Sequence, residues 1–194
     1  MGTSRIEAFS DGVIAVIITI TVLDLKMPAD ASLQSLLKTG PLFCAYVLSF
    51  IVVAIMWVNH HHMMHLATHP TAKVMWANNL LLFWMSLIPF TTSYMGRNSS
   101  SPLAVAAYGG VLTLCALSFT ILRAIVNQFH VHDPTKNPHN RRILRKSIVT
   151  TFLYASSIPL AYTSIRTSFG IFAFIPVAYF LPERNLIEPP NPVS

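Results

Sequence analysis

The chain has 194 residues, 53% hydrophobic and only 10% charged, where a soluble domain carries about 25% charged, and its mean hydropathy is +0.55. Thirteen Lys and Arg against seven Asp and Glu give a net charge of +6, too sparse for a nucleic-acid surface and suited to positive loops beside a membrane. Soluble, collagenous and disordered classes are excluded. What remains is an all-α integral membrane protein. Its two cysteines, Cys44 and Cys115, lie in separate apolar runs with no C-x-x-C partner, so no disulfide framework follows.

A helix needs roughly 20 apolar residues to cross the hydrocarbon core. The first candidate, 4–26, is unusual, because its apolar run is only 13–23, between Asp11 and Asp24. It lacks the basic start and small-residue cleavage site of a signal peptide. Beyond it, 39–72, 74–96, 98–122, 147–165 and 167–182 contain no Lys, Arg, Asp or Glu. These stretches predict helices near 41–61, 74–95, 102–126, 143–165 and 168–182, the last short for a span. Pro89, Pro159 and Pro176 are candidate helix breaks. The tail Pro189-Pro190-Asn191-Pro192 reads as disordered.

Six spans place both termini on one side. That side holds Arg5, Lys73, Arg123, Lys136, Arg141, Arg142, Arg145, Lys146 and Arg184, nine of the 13 basic residues. The positive-inside rule makes it the cytoplasm, which predicts a multi-pass protein of the cell membrane. The cluster from Lys136 to Lys146 serves as that topological signal, with contact to membrane lipid headgroups as the alternative. No P-loop, Rossmann fingerprint, nucleophile elbow or TVGYG filter string occurs, and no nucleic-acid partner is expected.

Asp11 and Asp24 are 13 residues apart, about 20 Å along a helix, which is less than the thickness of the hydrocarbon core. Acids at such depth face protein or water, which favours a central helix over a lipid-facing one. At about 100° per residue, Gly12, Val16, Thr19 and Leu23 share an arc of about 60°, with Ile20 at its edge, while Ser10 and Asp11 point elsewhere. This stripe is either bundle core, with Thr19 bonded to a carbonyl one turn back, or the lining of an axial pore in a symmetric oligomer. Periodicity favours the core.

The string Arg5-Ile6-Glu7-Ala8-Phe9-Ser10-Asp11, R-x-x-x-F-S-D, continues as Gly12-Val13-Ile14-Ala15-Val16-Ile17-Ile18-Thr19. It resembles the start of the transmembrane protein 175 family of lysosomal and bacterial potassium channels. Trp57-Val58-Asn59-His60 resembles the W-x-x-H of the family's second helix, and Asn79-Leu80 with Leu87-Ile88-Pro89-Phe90 resembles its third. The resemblance implies one six-helix channel repeat over 1–182, with 183–194 as a short cytoplasmic tail. It implies a homotetramer whose first helices line a pore permeable to K⁺ without a carbonyl filter, no cofactor and no enzymatic activity. Val16 matches the family's hydrophobic constriction, more often Ile or Leu, Thr19 the pore threonine, and Leu23 a second apolar ring. An apolar ring narrower than a hydrated ion gates by dewetting, and a hydroxyl ring replaces part of a hydration shell.

Asp11 needs a partner, because a buried unpaired carboxylate is costly. His60 is the expected one, with Asn79 or Asn78 as a third member, in a structural network with Arg5, Phe9, Ser10 and Trp57. The facing of Arg5 and Phe9 is left open, since helix ends fray.

Eight histidines offer a rival reading. His61, His65 and His69 repeat at i, i+4, and imidazoles on one helical face can share a transition metal. A histidine-box metalloenzyme would use such clusters, but the usual H-x-x-H-H pattern is missing and His130, His132 and His139 are scattered. The expectation is no metal. A secondary transporter, the other alternative, would need a discontinuous helix and an internal inverted repeat. No such repeat is visible.

Overall fold

A computed structural model describes residues 3–28, 30–66, 71–128 and 137–180. They form eight helices: α1 (Thr3–Leu23), α2 (Leu33–Lys38), α3 (Gly40–Leu66), α4 (Ala72–Met85), α5 (Ile88–Arg97), α6 (Pro102–Gln128), α7 (Asn137–Thr163) and α8 (Ile165–Phe180). The proposed tail and the histidines His69, His130 and His132 lie outside the described residues, as does the side chain of His139.

Local chemistry sets several boundaries. Ser32 caps α2 by accepting the backbone N–H of Ser35 at 3.1 Å, and Thr71 caps α4 by accepting that of Val74 at 3.4 Å. The helix expected over 74–95 is two helices, with α4 ending at Met85 and α5 starting at Ile88. Pro89 has no N–H to offer the carbonyl of Met85, and its ring crowds that carbonyl. The hydroxyl of Thr92 returns to the carbonyl of Ile88 at 2.7 Å, and that of Thr91 to Leu87 at 3.2 Å, so both hydroxyls are satisfied within α5 and its first turn. Pro159 and Pro176, by contrast, sit inside continuous helices.

Among the described residues, four segments are long and apolar enough to cross a membrane: Ser4–Leu23, Gly40–His65, Ala72–Arg97 (α4 and α5 in succession) and Pro102–Gln128. Length and composition therefore identify fewer spans than the six expected. The N-terminal part of α7 carries Arg141, Arg142, Arg145 and Lys146, and Ile165–Tyr179 is apolar but short.

The core lies where α6 packs along α7, α4 and α5. Tyr108 of α6, fully buried, meets Phe172 of α8 edge to face at 5.0 Å between ring centroids. Its hydroxyl contacts that of Ser49 at 2.9 Å, and Ser49 contacts Thr92 at 2.7 Å, joining α3, α5 and α6. Gly96 permits the close approach of α5 to α3, because a Cβ there would lie 2.9 Å from the Leu42 Cα. α1 packs on α3, α4 and α5, which presses one of its faces against the chain and leaves the opposite one bare.

Candidate pore helix and its polar anchor

The packed face of α1 is Ile6, Ser10, Ile14, Ile17 and Thr21, a progression of three and four residues that follows the helical repeat. The opposite face carries Arg5, Phe9, Gly12, Val16, Thr19, Ile20 and Leu23, none of them buried in the single chain. Val16 is 53% exposed and Leu23 79%. Periodicity favoured this stripe as bundle core, and the structure corrects that: the core side is the Ile14–Ile17 face. The two faces differ by about half a turn, and only the one carrying Ser10 meets polar partners on α4. A Cβ added at Gly12 would meet nothing within 4 Å.

The Thr19 hydroxyl donates to the carbonyl of Val16 at 2.9 Å. That bond uses its single proton and leaves acceptor lone pairs on the exposed side of the helix, the polarity a cation requires.

A buried chain of hydrogen bonds fastens the packed face. His60 Nε2 bonds to Asn78 Oδ1 at 2.7 Å, Asn78 Nδ2 donates to the Ser10 hydroxyl at 2.9 Å, and Ser10 donates to the carbonyl of Ile6 at 2.8 Å. Because the Asn78 oxygen accepts, His60 donates from Nε2. All three side chains are at most 1% exposed. The chain links α3, α4 and α1 at one end of the bundle.

One expectation is corrected here, and one open alternative is decided. Asp11 does not bond to His60: its Oδ1 accepts the indole N–H of Trp57 at 2.8 Å. Trp57 and His60 are three residues apart on α3, so their side chains diverge by about 60°, and the ring nearer α1 reaches the carboxylate. Asn79 is exposed, and Asn78 takes the inner position, one residue and about 100° away.

Glu7, missed in the sequence, lies one turn before Asp11. Its Oε1 is 2.7 Å from His61 Nδ1 and 3.7 Å from His65 Nε2, and the two histidines are 3.1 Å apart at their Nε2 atoms. Trp57 stacks on His61 at 6.0 Å between ring centroids. Two acids at i, i+4 on α1 thus face a Trp57–His61–His65 row at i, i+4, i+8 on α3. The i, i+4 spacing of Glu7 and Asp11 was the available signal. At the far end of α1, Asp24 meets Arg97 of α5 at 3.7 Å, with both side chains over two-fifths exposed.

Known proteins are similar to this chain in sequence and in fold. The family described as endosomal/lysosomal potassium channel TMEM175 matches residues 5–89. A potassium channel of Chryseobacterium sp. (strain P1-3) is 33% identical over 189 residues, covering 96% of each chain. A potassium channel of Streptomyces collinus is 32% identical over 187 residues, covering 91% of each. The crystal structure of a lysosomal potassium-selective channel TMEM175 homolog from Chamaesiphon minutus superposes with a TM-score of 0.81 at 28% identity, covering 91% of this chain and 95% of that one.

Proposed function

Since the chain belongs to the TMEM175 family, we propose that it is a potassium-permeable membrane channel and that its pore is lined by α1. It is a channel rather than an enzyme. The observation that carries the pore assignment is the two-faced character of α1. One side is held by a buried polar chain, and the other is an unpartnered stripe of apolar residues with one hydroxyl layer.

The stripe gains a purpose when four copies surround an axis. Val16 then forms a narrow apolar ring that excludes ions when dewetted. Thr19, one turn along, supplies four oxygens that stand in for part of the hydration shell. Leu23 forms a second apolar ring, with Gly12 and Ile20 completing the lining. Six segments cross the membrane in this arrangement: α1, α3, α4 with α5, α6, α7 and α8. Both termini are cytoplasmic, in the cell membrane. K⁺ is the permeant species, and conduction needs no cofactor.

Flux from liposomes containing only this protein tests the reading. K⁺ efflux should exceed that of empty liposomes and exceed Na⁺ efflux under the same gradient. Liposomes no leakier than empty ones would reject it.

A further inference from the structure

We propose that Glu7, His61 and His65 form a binding site for a divalent transition metal of the zinc class, joining the first turns of α1 to the last turns of α3. Their ligating atoms all lie within 4.8 Å of one another. Ligands around a tetrahedral zinc, each at 2.0–2.1 Å, stand about 3.3 Å apart. Glu7 Oε1 lies 2.7 Å from His61 Nδ1 and 3.7 Å from His65 Nε2, which bracket that spacing, and the 3.1 Å approach of the two histidines is at the other nitrogen of His61, so small ring rotations would bring one nitrogen of each to a common ion.

The donor set defines the class of ion. Two imidazoles and one carboxylate suit Zn²⁺, Co²⁺ or Ni²⁺, whereas Mg²⁺ and Ca²⁺ favour oxygen ligands alone. His61 and His65 are one helical turn apart, so both rings reach a common point beside α3. Glu7 comes from another helix, so an ion held by all three cross-links two elements. Three protein ligands leave a position for water.

The surroundings are suited to metal entry. The side chains of His61 and His65 are 41% and 63% exposed, which leaves their rings room to turn, while Glu7 at 18% is more firmly held. Glu7 Oε1 and His61 Nδ1 are themselves shielded from solvent and make no well-aligned hydrogen bond although they lie 2.7 Å apart. A contact this short needs either a proton or a metal cation between the two atoms. Trp57, stacked on His61 and bonded to Asp11, supports the imidazole from behind. The site rests on these side chains and stands apart from the conduction reading.

The test uses the full chain purified in detergent, stripped with a chelator and titrated with Co²⁺. One Co²⁺ per chain should bind, with visible ligand-field absorption, and Zn²⁺ should displace it while Mg²⁺ and Ca²⁺ do not. Glu7→Gln and His65→Ala should each weaken binding at least about tenfold. His62→Ala, about 100° around the helix, should bind as the parent does. Zn²⁺ should raise the melting temperature of the parent and of His62→Ala. It should not raise that of a His65→Ala protein eluting at the parental volume. Absence of Co²⁺ binding by the parent would reduce the cluster to a proton-bridged Glu7–His61 pair and overturn the proposal. Parental affinity in both Glu7→Gln and His65→Ala would overturn it equally.

Discussion

Trp57 donates its indole N–H to Oδ1 of Asp11 at 2.8 Å, so the carboxylate near the start of α1 is held by a neutral ring and not by a cation. Such a bond fixes direction as well as distance, because an indole has one donor in the plane of its ring. It orients α1 about its own axis relative to α3.

Replacing the donor should therefore loosen α1. Trp57→Phe keeps an aromatic ring and removes the N–H. A hydrogen bond to a charged group contributes about 1.5–3 kcal/mol, and part of that should be lost from the stability of the assembled protein. Thermal unfolding of Trp57→Phe, Asp11→Asn and the double variant measures the coupling. Additive losses would show that the two side chains act separately.

Asn78→Leu should be among the most damaging polar substitutions in the chain. It leaves the His60 Nε2 donor buried without its acceptor, a cost of about 1–3 kcal/mol, while Ser10 keeps only its bond to the carbonyl of Ile6. Asn79→Leu, on the exposed side, should be close to neutral. Detergent-solubilised yield and melting temperature distinguish the two, and equal losses would contradict the inner placement of Asn78.

Thr19→Ala should lower the preference for K⁺ over Na⁺, because it removes the only hydroxyl on the exposed stripe. Thr19→Ser should retain most of it. Reversal potentials under bi-ionic conditions report the outcome. An unchanged value in Thr19→Ala would move discrimination to another layer.

Val16→Asn should raise basal cation conductance by wetting the apolar ring, and Val16→Leu should reduce it. Cysteines at Val16, Thr19 and Leu23 should react with small water-soluble thiol reagents, while cysteines at the buried Ile14 and Ile17 should not. Labelling at Ile14 in place of Val16 would reverse the assigned faces.

Gly96→Ala should destabilise the α3–α5 contact by about 1–3 kcal/mol, since the added methyl would meet the Leu42 Cα, a backbone atom that cannot rotate away. Gly110→Ala, where a Cβ meets nothing within 4 Å, is the matched control. Melting temperatures of the two variants should separate clearly.

Much of the helical layout is legible in the sequence, because a long uncharged stretch in so apolar a chain is best satisfied as a helix inside a bilayer. The division of α1 into two faces is also legible, although which face meets the chain is not. That depends on Ser10 finding Asn78, a partner 68 residues away. Asn78 and Asn79 are chemically identical, so only the rotation of α4 separates them. Pro89, Pro159 and Pro176 read alike as breakers, yet only the first ends a helix. Pro89 falls in the first turn of α5, where its missing N–H costs least, whereas Pro159 and Pro176 lie inside helices that continue past them. α2 escapes notice because six residues carry too little periodicity, and its cap, Ser32, is a common residue.

The polar ties of α1 are unevenly distributed. Ser10 and Asp11 are held by well-formed hydrogen bonds at 2.9 and 2.8 Å, whereas the far end has a single long ion pair at 3.7 Å. Held more tightly at its start than at its far end by polar contacts, α1 would tilt most easily about a point near Ser10. With a rise of 1.5 Å per residue, a tilt of about 5° about that pivot carries Leu23 sideways by about 1.7 Å and Val16 by only about 0.8 Å. In the proposed pore, such a tilt would widen the far end about twice as much as the middle, giving a flared, conical passage and not a uniform cylinder.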